Sequence, residues 1–364
     1  MIDKYLFVID DMGSGGAQRQ MSTLARLLAD RRYKIDIFHY FPDIFYQDTL
    51  DHDNITMIYH AKTSKVGLGV IRKLSHVISE GDYKVVLSFL ATPNMYTVIA
   101  NKWASKSTKV VLSERTKTNF EGLKYRLKKW VNSNADYLVC NSMHESQNWL
   151  KHIGPLMGKS SCIYNSVDHD RFDMYNRTKK EVLDILVVGS ISPAKNGLLL
   201  IEAIHQLPNK NIRVTWVGQK EYHIPERKEY IKKMENAIST YQLDNQWTWV
   251  EPVQNIENYY GQADVLVHPS IIEGLPNVVC EGLSTGLPII ISNVLDHPIL
   301  ADHGRNGLLF DVEHVSTLVT AIDQYYQMDQ LARDALSKNA HTFAVKKFSN
   351  QKFIMDYLNV FDSL

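Results

Sequence analysis

The sequence predicts an α/β protein of two doubly wound parallel-sheet domains in tandem. Three observations predict it. Short apolar runs alternate with longer stretches of helical period along the chain, the pattern of a parallel sheet covered on both faces. The runs Tyr5–Ile9 and Leu183–Val188 each lead into a glycine-bearing turn and then a helical stretch. Between these two halves Asn165–Glu181 is polar and aperiodic, and the alternation starts afresh after it.

The elements follow in order. Tyr5–Ile9 reads as the first strand, and Met21, Leu24, Ala25, Leu27 and Leu28 fall at helix spacing behind it. Then come Lys34–Phe38, a helical stretch near Val70–Ser79, Lys84–Ser88, Thr97–Ala104, Val110–Ser113, Leu123–Asn132, Tyr137–Cys140, His144–Lys151 and Ser161–Tyr164. The second half gives Leu183–Val188, a helix at Leu198–Ile204, and strands at Arg213–Val217, Thr248–Val250, Val265–His268 and Pro288–Ser292. The last stretch, Lys347–Leu364, places Phe348, Phe353, Ile354, Tyr357, Leu358 and Phe361 where they must bury against something. The expected organisation is a first domain at 1–166, a linker at 167–182, a second domain at 183–346 and a final apolar helix at 347–364. Ligands in such sheets bind outside the carboxyl ends of the strands, so two such domains facing each other would make a cleft.

Composition is ordinary for a globular chain: 364 residues, 45% hydrophobic and 22% charged, enough for two domains. Lys plus Arg and Asp plus Glu are equal at 40 each, so net charge excludes no partner class. The distribution says more. Residues 1–166 carry 22 basic against 15 acidic residues, and the remainder 18 against 25. That asymmetry points to an anionic partner on the first half, or to chance clustering on solvated faces. Cys140, Cys162 and Cys280 lie far apart in or beside apolar runs and read as reduced, buried residues of a cytosolic protein. No apolar run approaches the ~18 residues of a membrane span, and the opening segment fits a first strand better than a signal peptide.

Three stretches carry candidate chemistry. Asp10-Asp-Met-Gly-Ser-Gly-Gly-Ala-Gln-Arg19 links a strand to a helix, and Gly13, Gly15 and Gly16 let backbone N–H groups approach an anion or a sugar. The spacing is not that of a dinucleotide fingerprint, and a plain tight turn is the competing reading. Val188-Gly-Ser-Ile-Ser-Pro-Ala-Lys-Asn-Gly197 repeats the arrangement, with Lys195 either facing a phosphate at the helix start or solvated. Ser270-Ile-Ile-Glu-Gly-Leu-Pro-Asn-Val-Val-Cys-Glu-Gly-Leu283 is the most informative. Gly274 allows a sharp strand exit, Pro276 suits a helix start, and the free N–H groups near Asn277 favour a diphosphate. Glu281 lies one turn beyond Asn277 on the same face, where a carboxylate can take two hydrogen bonds from a ribose diol. Glu273, at the strand end, lies nearer a sugar. Two surface glutamates are the plain alternative.

The Glu273-to-Glu281 spacing, with Pro269-Ser270 before it and Gly286-Leu-Pro-Ile-Ile290 after it, resembles glycosyltransferase family 4, a retaining family of the GT-B fold. The resemblance covers most of the chain. Gly15-Gly16-Ala17 is similar to the family's first glycine loop. Cys140-Asn-Ser142 and Ile163–Phe172 are similar to its interdomain entry. Asn255–Asp264 resembles the stretch before its signature strand, and Gly304–Phe310 its late glycine turn. The resemblance implies that 1–166 is the acceptor-side domain and 183–346 the nucleotide-sugar domain, with the helix at 347–364 returning to the first. It implies that Glu281 holds the donor ribose, Glu273 contacts the transferred sugar, and Lys195 neutralises the diphosphate beside the amides near Leu275–Val278, with Gly274, Leu275, Pro276, Asn277 and Val278 among the donor-binding residues. It further implies that Gly15 and Gly16 line the sugar phosphate and that the base lies near Pro252-Val253.

This sequence departs from the family at two places. Gly189 is followed by Ser190 where the family carries a second phosphate cation. The first-domain strand that often ends in histidine here reads Leu112-Ser113-Glu114-Arg115, which makes Arg115 the candidate replacement cation or phosphate contact and Glu114 a candidate acceptor-side catalytic group. Asp168-His-Asp170 looks like a metal motif but lies in the linker segment; no metal or other cofactor is expected. Lys102, Lys106, Lys109, Lys117, Lys124, Arg126, Lys128 and Lys129 cluster around Leu123, Leu127 and Trp130, which reads as an anionic-membrane contact or as an ordinary amphipathic helix packed on its own sheet. The expected function is retaining, metal-independent transfer from a UDP-sugar to a glycan or lipid-linked glycan in cell-surface polysaccharide assembly. The expected location is cytoplasmic, peripheral on the inner membrane, and nucleic acid is not an expected partner. The rivals are a nucleotide-sugar epimerase of the same architecture and a donor-binding subunit of weak activity, the latter suggested by Ser190.

Overall fold

The computed structural model describes residues 3–115, 118, 121–153, 160–207 and 211–364. The chain divides into two compact units, Met1–Ser166 with Asn350–Leu364, and Val167–Ser349.

The first unit runs β1 Lys4–Val8, α1 Gly16–Ala29, β2 Lys34–His39, α2 Gln47–Leu50, β3 Ile55–Tyr59, α3 Leu68–Glu80, β4 Val85–Phe89, α4 Ala91–Trp103, β5 Lys109–Glu114, α5 Gly122–Ser133, β6 Tyr137–Cys140, α6 Met143–Ile153 and β7 Ser160–Cys162. Its seven-stranded sheet has the order β3-β2-β1-β4-β5-β6-β7, and its pairings are parallel. Alternation along β1 explains why the strand reads as an unbroken apolar run. Tyr5 and Phe7 face a layer with Met21, Leu24 and Leu28 of α1. Leu6 and Val8 face Val70, Leu74 and Ile78 of α3.

The second unit runs β8 Leu183–Val188, α7 Gly197–Gln206, β9 Ile212–Val217, α8 Pro225–Thr240, β10 Trp247–Val250, α9 Ile256–Gln262, β11 Val265–His268, α10 Asn277–Ser284, β12 Ile289–Ser292, α11 His297–Leu300, β13 Gly307–Phe310, α12 Val315–Gln327 and α13 Gln330–Phe348. Its six-stranded sheet is ordered β10-β9-β8-β11-β12-β13. In both sheets the strand order reverses beside the first strand, between β1 and β4 and between β8 and β11. The carboxyl edge at such a reversal is where open α/β sheets hold ligands.

Several local readings change. The stretch 167–182 has no regular structure, yet it packs as part of the second unit. The Arg177 guanidinium donates to the carbonyls of Ala263, Tyr260 and Thr285 at 3.1, 2.8 and 2.8 Å. The final helix α14, Asn350–Asp362, begins three residues later than the apolar pattern suggested, because Ser349 takes an extended ψ of 145° and ends α13. Its Phe353, Ile354, Tyr357 and Phe361 join the core of the first unit. The edge strands β3 and β13 add to the sequence reading; their half-exposed residues blur the apolar run. Cys140 and Cys280 are buried, whereas Cys162 is partly exposed.

Candidate active site

Strands β8 and β11 lie side by side in parallel, with Ile185 opposite Val265 and Leu186 opposite Leu266. The loops that leave their carboxyl ends therefore emerge together. Gly189 leaves β8 at a φ of +142°, a conformation that favours glycine, and a Cβ there would crowd the Lys195 stem at 3.2 Å. Pro193 opens a short 3-10 turn ending at Lys195. The two loops are tied by the Ile271 N–H donating to the Ala194 carbonyl at 2.9 Å.

This brings Lys195 and Glu273 into a direct ion pair between Nζ and Oε1. Burial alone would raise the Glu273 carboxyl, but the neighbouring His268 and the Lys195 charge outweigh it and hold it at about 2. The Glu273 Oε1 atom also accepts from the Ser270 hydroxyl at 3.4 Å and lies 3.5 Å from His268 Nε2.

Past Gly274 and the buried Leu275, Pro276 is the N-cap of α10 and offers no side-chain bond, and the first turn carries no acidic residue. The amides near Asn277 and Val278 thus form the positive end of a helix without a built-in anion. Glu281 is only 5% exposed, and its Oε2 accepts from the Tyr260 hydroxyl at 3.0 Å. Ser190 and Val253 follow the carboxyl ends of β8 and β10 at the same edge of the sheet.

The other candidate residues belong to the first unit. Gly15 caps α1 and Gly16 is its first residue, again without a side-chain cap. The Asp11 carboxylate shapes that loop by accepting from the Gly13 N–H at 2.8 Å and from Gln18 at 3.1 Å. Glu114 is turned inward: it pairs with Lys128 at 2.7 Å and accepts from Asn132 at 3.0 Å. That internal pairing removes the ground for giving it an acceptor-side role. Arg115 donates to Asn165 and lies 4.7 Å over the Phe89 ring, with burial lowering its pKa. In the linker segment Asp168 Oδ1 accepts from the Asp170 N–H at 3.1 Å, a turn rather than a ligand set. Among the described residues, no group of three or more His, Cys, Asp or Glu side chains is arranged to hold a metal.

Sequence reasoning passed over His268 and His297. His268 is 1% exposed at the end of an otherwise apolar strand, and His297 is fully buried against it. A histidine closing an apolar strand just before a signature loop was the available signal. Burial lowers both, His297 to about 3.

The fold and the site define the class: two parallel-sheet domains, the second carrying a cation, two carboxylates and an uncapped helix at its switch point, in the manner of GT-B glycosyltransferases. The Rickettsia africae glycosyltransferase superposes with a TM-score of 0.86 at 20% identity, over 100% of this chain and 98% of that one. Anabaena HepE in complex with UDP gives 0.85 at 19% identity, over 99% and 100%. Residues 170–343 match the family described as glycosyl transferases group 1, and residues 14–171 match Glycosyltransferase Family 4. The chain belongs to glycosyltransferase family 4. Among curated relatives it is similar to the amylovoran biosynthesis glycosyltransferase AmsD of Erwinia amylovora, 23% identical over 91% of this chain and 92% of that protein. The N-acetylgalactosamine-N,N'-diacetylbacillosaminyl-diphospho-undecaprenol 4-alpha-N-acetylgalactosaminyltransferase of Campylobacter jejuni is 23% identical over 96% and 97%. An Escherichia coli UDP-Gal:alpha-D-GlcNAc-diphosphoundecaprenol alpha-1,3-galactosyltransferase is 24% identical, the match taking in 58% of this chain and 56% of that protein.

Proposed function

We propose that this glycosyltransferase moves a hexose from a UDP-sugar to a glycan or lipid-linked glycan of a surface polysaccharide, with retention and without a metal. The observation that carries the reading is the Lys195–Glu273 pair at the β8/β11 switch point, beside the uncapped start of α10. A diphosphate would lie across the α10 amides, with Lys195 as its cation and the Glu281 carboxylate on the ribose. Charge builds on the departing diphosphate as the glycosidic bond breaks, so a fixed cation and helix end favour the transition state over the ground state. Ser190 supplies no second cation, which places more of that stabilisation on Lys195. The relatives that use diphospho-undecaprenol-linked substrates and the UDP complex of Anabaena HepE support this choice of acceptor and donor.

We further propose that α5 meets an anionic membrane on its exposed side. It exposes Leu123, Leu127 and Trp130 at helical spacing, Leu123 at 80%, with Lys124, Arg126 and Lys129 among them. Lys128 belongs to the interior pair with Glu114 rather than to this face, and Lys106 and Lys109 pair with Asp82 and Asp136. Lys117 lies outside the described residues. Among the described residues no helix is long and apolar enough to cross a membrane.

The test is a screen of UDP-hexoses for thermal stabilisation, followed by transfer to undecaprenyl-diphosphate-linked sugars in the presence of a chelator. Retention appears as an α-linked product by NMR. A β-linked product, or loss of activity with the chelator, overturns the corresponding part. Release of an isomeric UDP-sugar without acceptor would make the chain an epimerase.

A further inference from the structure

Three groups converge on one oxygen of Glu273, Oε1: Lys195, Ser270 and His268. Of these, the sequence resemblance gives no role to His268. His268 Nε2 stands 3.5 Å from it and has no hydrogen-bond partner among the described residues, although the side chain is almost completely buried. An unpartnered polar atom at that depth is costly unless the site uses it. Behind His268, the His297 ring meets it edge-on at 5.5 Å. His297 Nδ1 lies 2.9 Å from the Ser292 hydroxyl and 3.0 Å from the Ser292 carbonyl. The Ser292 hydroxyl donates to the Ser270 carbonyl at 2.6 Å. The column from α11 through the end of β12 thus returns to the loop that bears Glu273.

We infer that His268 is the positioning residue for Glu273, holding the carboxylate toward the sugar once Lys195 is drawn onto the donor diphosphate. This rests on the donor-site reading above. In the ligand-free chain Lys195 occupies Glu273. An arriving diphosphate competes for that ammonium, and the carboxylate then loses its strongest partner. Without a second donor it would swing to water. From 3.5 Å, Nε2 carrying the ring proton needs only a small closure on Oε1 to reach hydrogen-bonding distance. Burial keeps the ring neutral, so it orients the carboxylate without cancelling its charge. His297, itself held by Ser292, packs edge-on against the ring and limits its movement.

The experiment compares full-length wild type with His268→Leu, His268→Gln and Ser292→Ala. UDP affinity is read by calorimetry, and turnover by hydrolysis of UDP-glucose, UDP-galactose and UDP-N-acetylglucosamine. His268→Leu should lower kcat at least tenfold while leaving the UDP Kd within about twofold. His268→Gln, which restores an N–H near the same place, should recover most of the turnover. Ser292→Ala should lower kcat severalfold at unchanged UDP Kd, and it decides the matter if His268→Leu does not fold. Unchanged kcat in His268→Leu, or in Ser292→Ala where it must decide, overturns the inference, as does an equal loss of kcat and UDP affinity. A wild type that neither binds UDP nor hydrolyses any of the three removes the donor-site reading itself, a different result from normal wild-type turnover with a silent His268.

Discussion

Opposite substitutions at the Lys195–Glu273 pair should move nucleotide affinity in opposite directions. In the ligand-free chain the ammonium is taken by Glu273, with the two side chains about one-fifth exposed, at 21% and 19%. A pair in that intermediate environment lies between solvent-exposed pairs, worth up to about 1 kcal/mol, and buried ones, whose disruption costs ~3–5 kcal/mol. UDP must draw Lys195 away from this partner, and about 1 kcal/mol of its gross interaction is lost in doing so. Glu273→Gln removes that competition. UDP should then bind about fivefold more tightly, the equivalent of about 1 kcal/mol, although turnover falls because the sugar-facing carboxylate is gone. Lys195→Ala does the reverse. It removes a charge-assisted contact worth roughly 1.5–3 kcal/mol, so UDP affinity should drop tenfold or more. Its larger effect should be on kcat, about 100-fold, because charge on the leaving diphosphate is greatest in the transition state. Calorimetric titration with UDP, paired with initial rates on the best donor, reads both. Weaker UDP binding by Glu273→Gln, or unchanged binding and turnover in Lys195→Ala, would refute the idea that the two groups share one site with the phosphate.

Glu281→Ala should weaken UDP about 10- to 100-fold in the same titration without lowering the thermal midpoint below assay temperature, and Tyr260→Phe, which deletes the 3.0 Å bond to Glu281, should weaken it severalfold. Acid should destabilise the second unit early. His297 takes its proton at about 3 in the folded chain against an ordinary 6.5, because burial disfavours the charged ring. The unfolded chain therefore binds more protons in that window, and stability falls as pH drops from 6.5 toward 3, by roughly 1.4 kcal/mol per unit for this group. Glu273 adds its own loss only below about 4.5, as pH falls toward its folded value of about 2. Replacing His297 with Gln should flatten the thermal midpoint between pH 6.5 and 5; an unchanged slope would refute the assignment. Substituting Glu for Lys124 and Lys129 should reduce binding to acidic vesicles, as should added salt, whereas the same change at Lys128 should instead destabilise the fold by stranding Glu114.

The strands that form the centre of each sheet were legible because burial on both faces forces unbroken apolar runs such as Tyr5–Ile9 and Val265–His268. One edge of each sheet was not: β3 alternates half-exposed residues, and Gly307–Phe310 reads as a turn until β12 lies beside it. The site divides along the same line. Gly189, Lys195 and Glu273 sit where local rules act, a strand end followed by a turn and a helix start, and their types alone suggested an anion site. Glu114 and Lys128 show the limit of such reading. They are fourteen positions apart, and nothing local says that the carboxylate at the end of β5 turns back to meet a lysine on α5. A charge in sequence has no direction until its neighbours are known, and the burial of Glu114 requires a cation, so the lysine that looked like part of a membrane patch had to be drawn inward. The same logic makes His268 informative. At the end of an apolar strand, burial leaves a histidine without water, so its Nε2 is unpartnered among the described residues; the carboxylate five residues on, returned by the loop to within 3.5 Å, is the acceptor proposed for it.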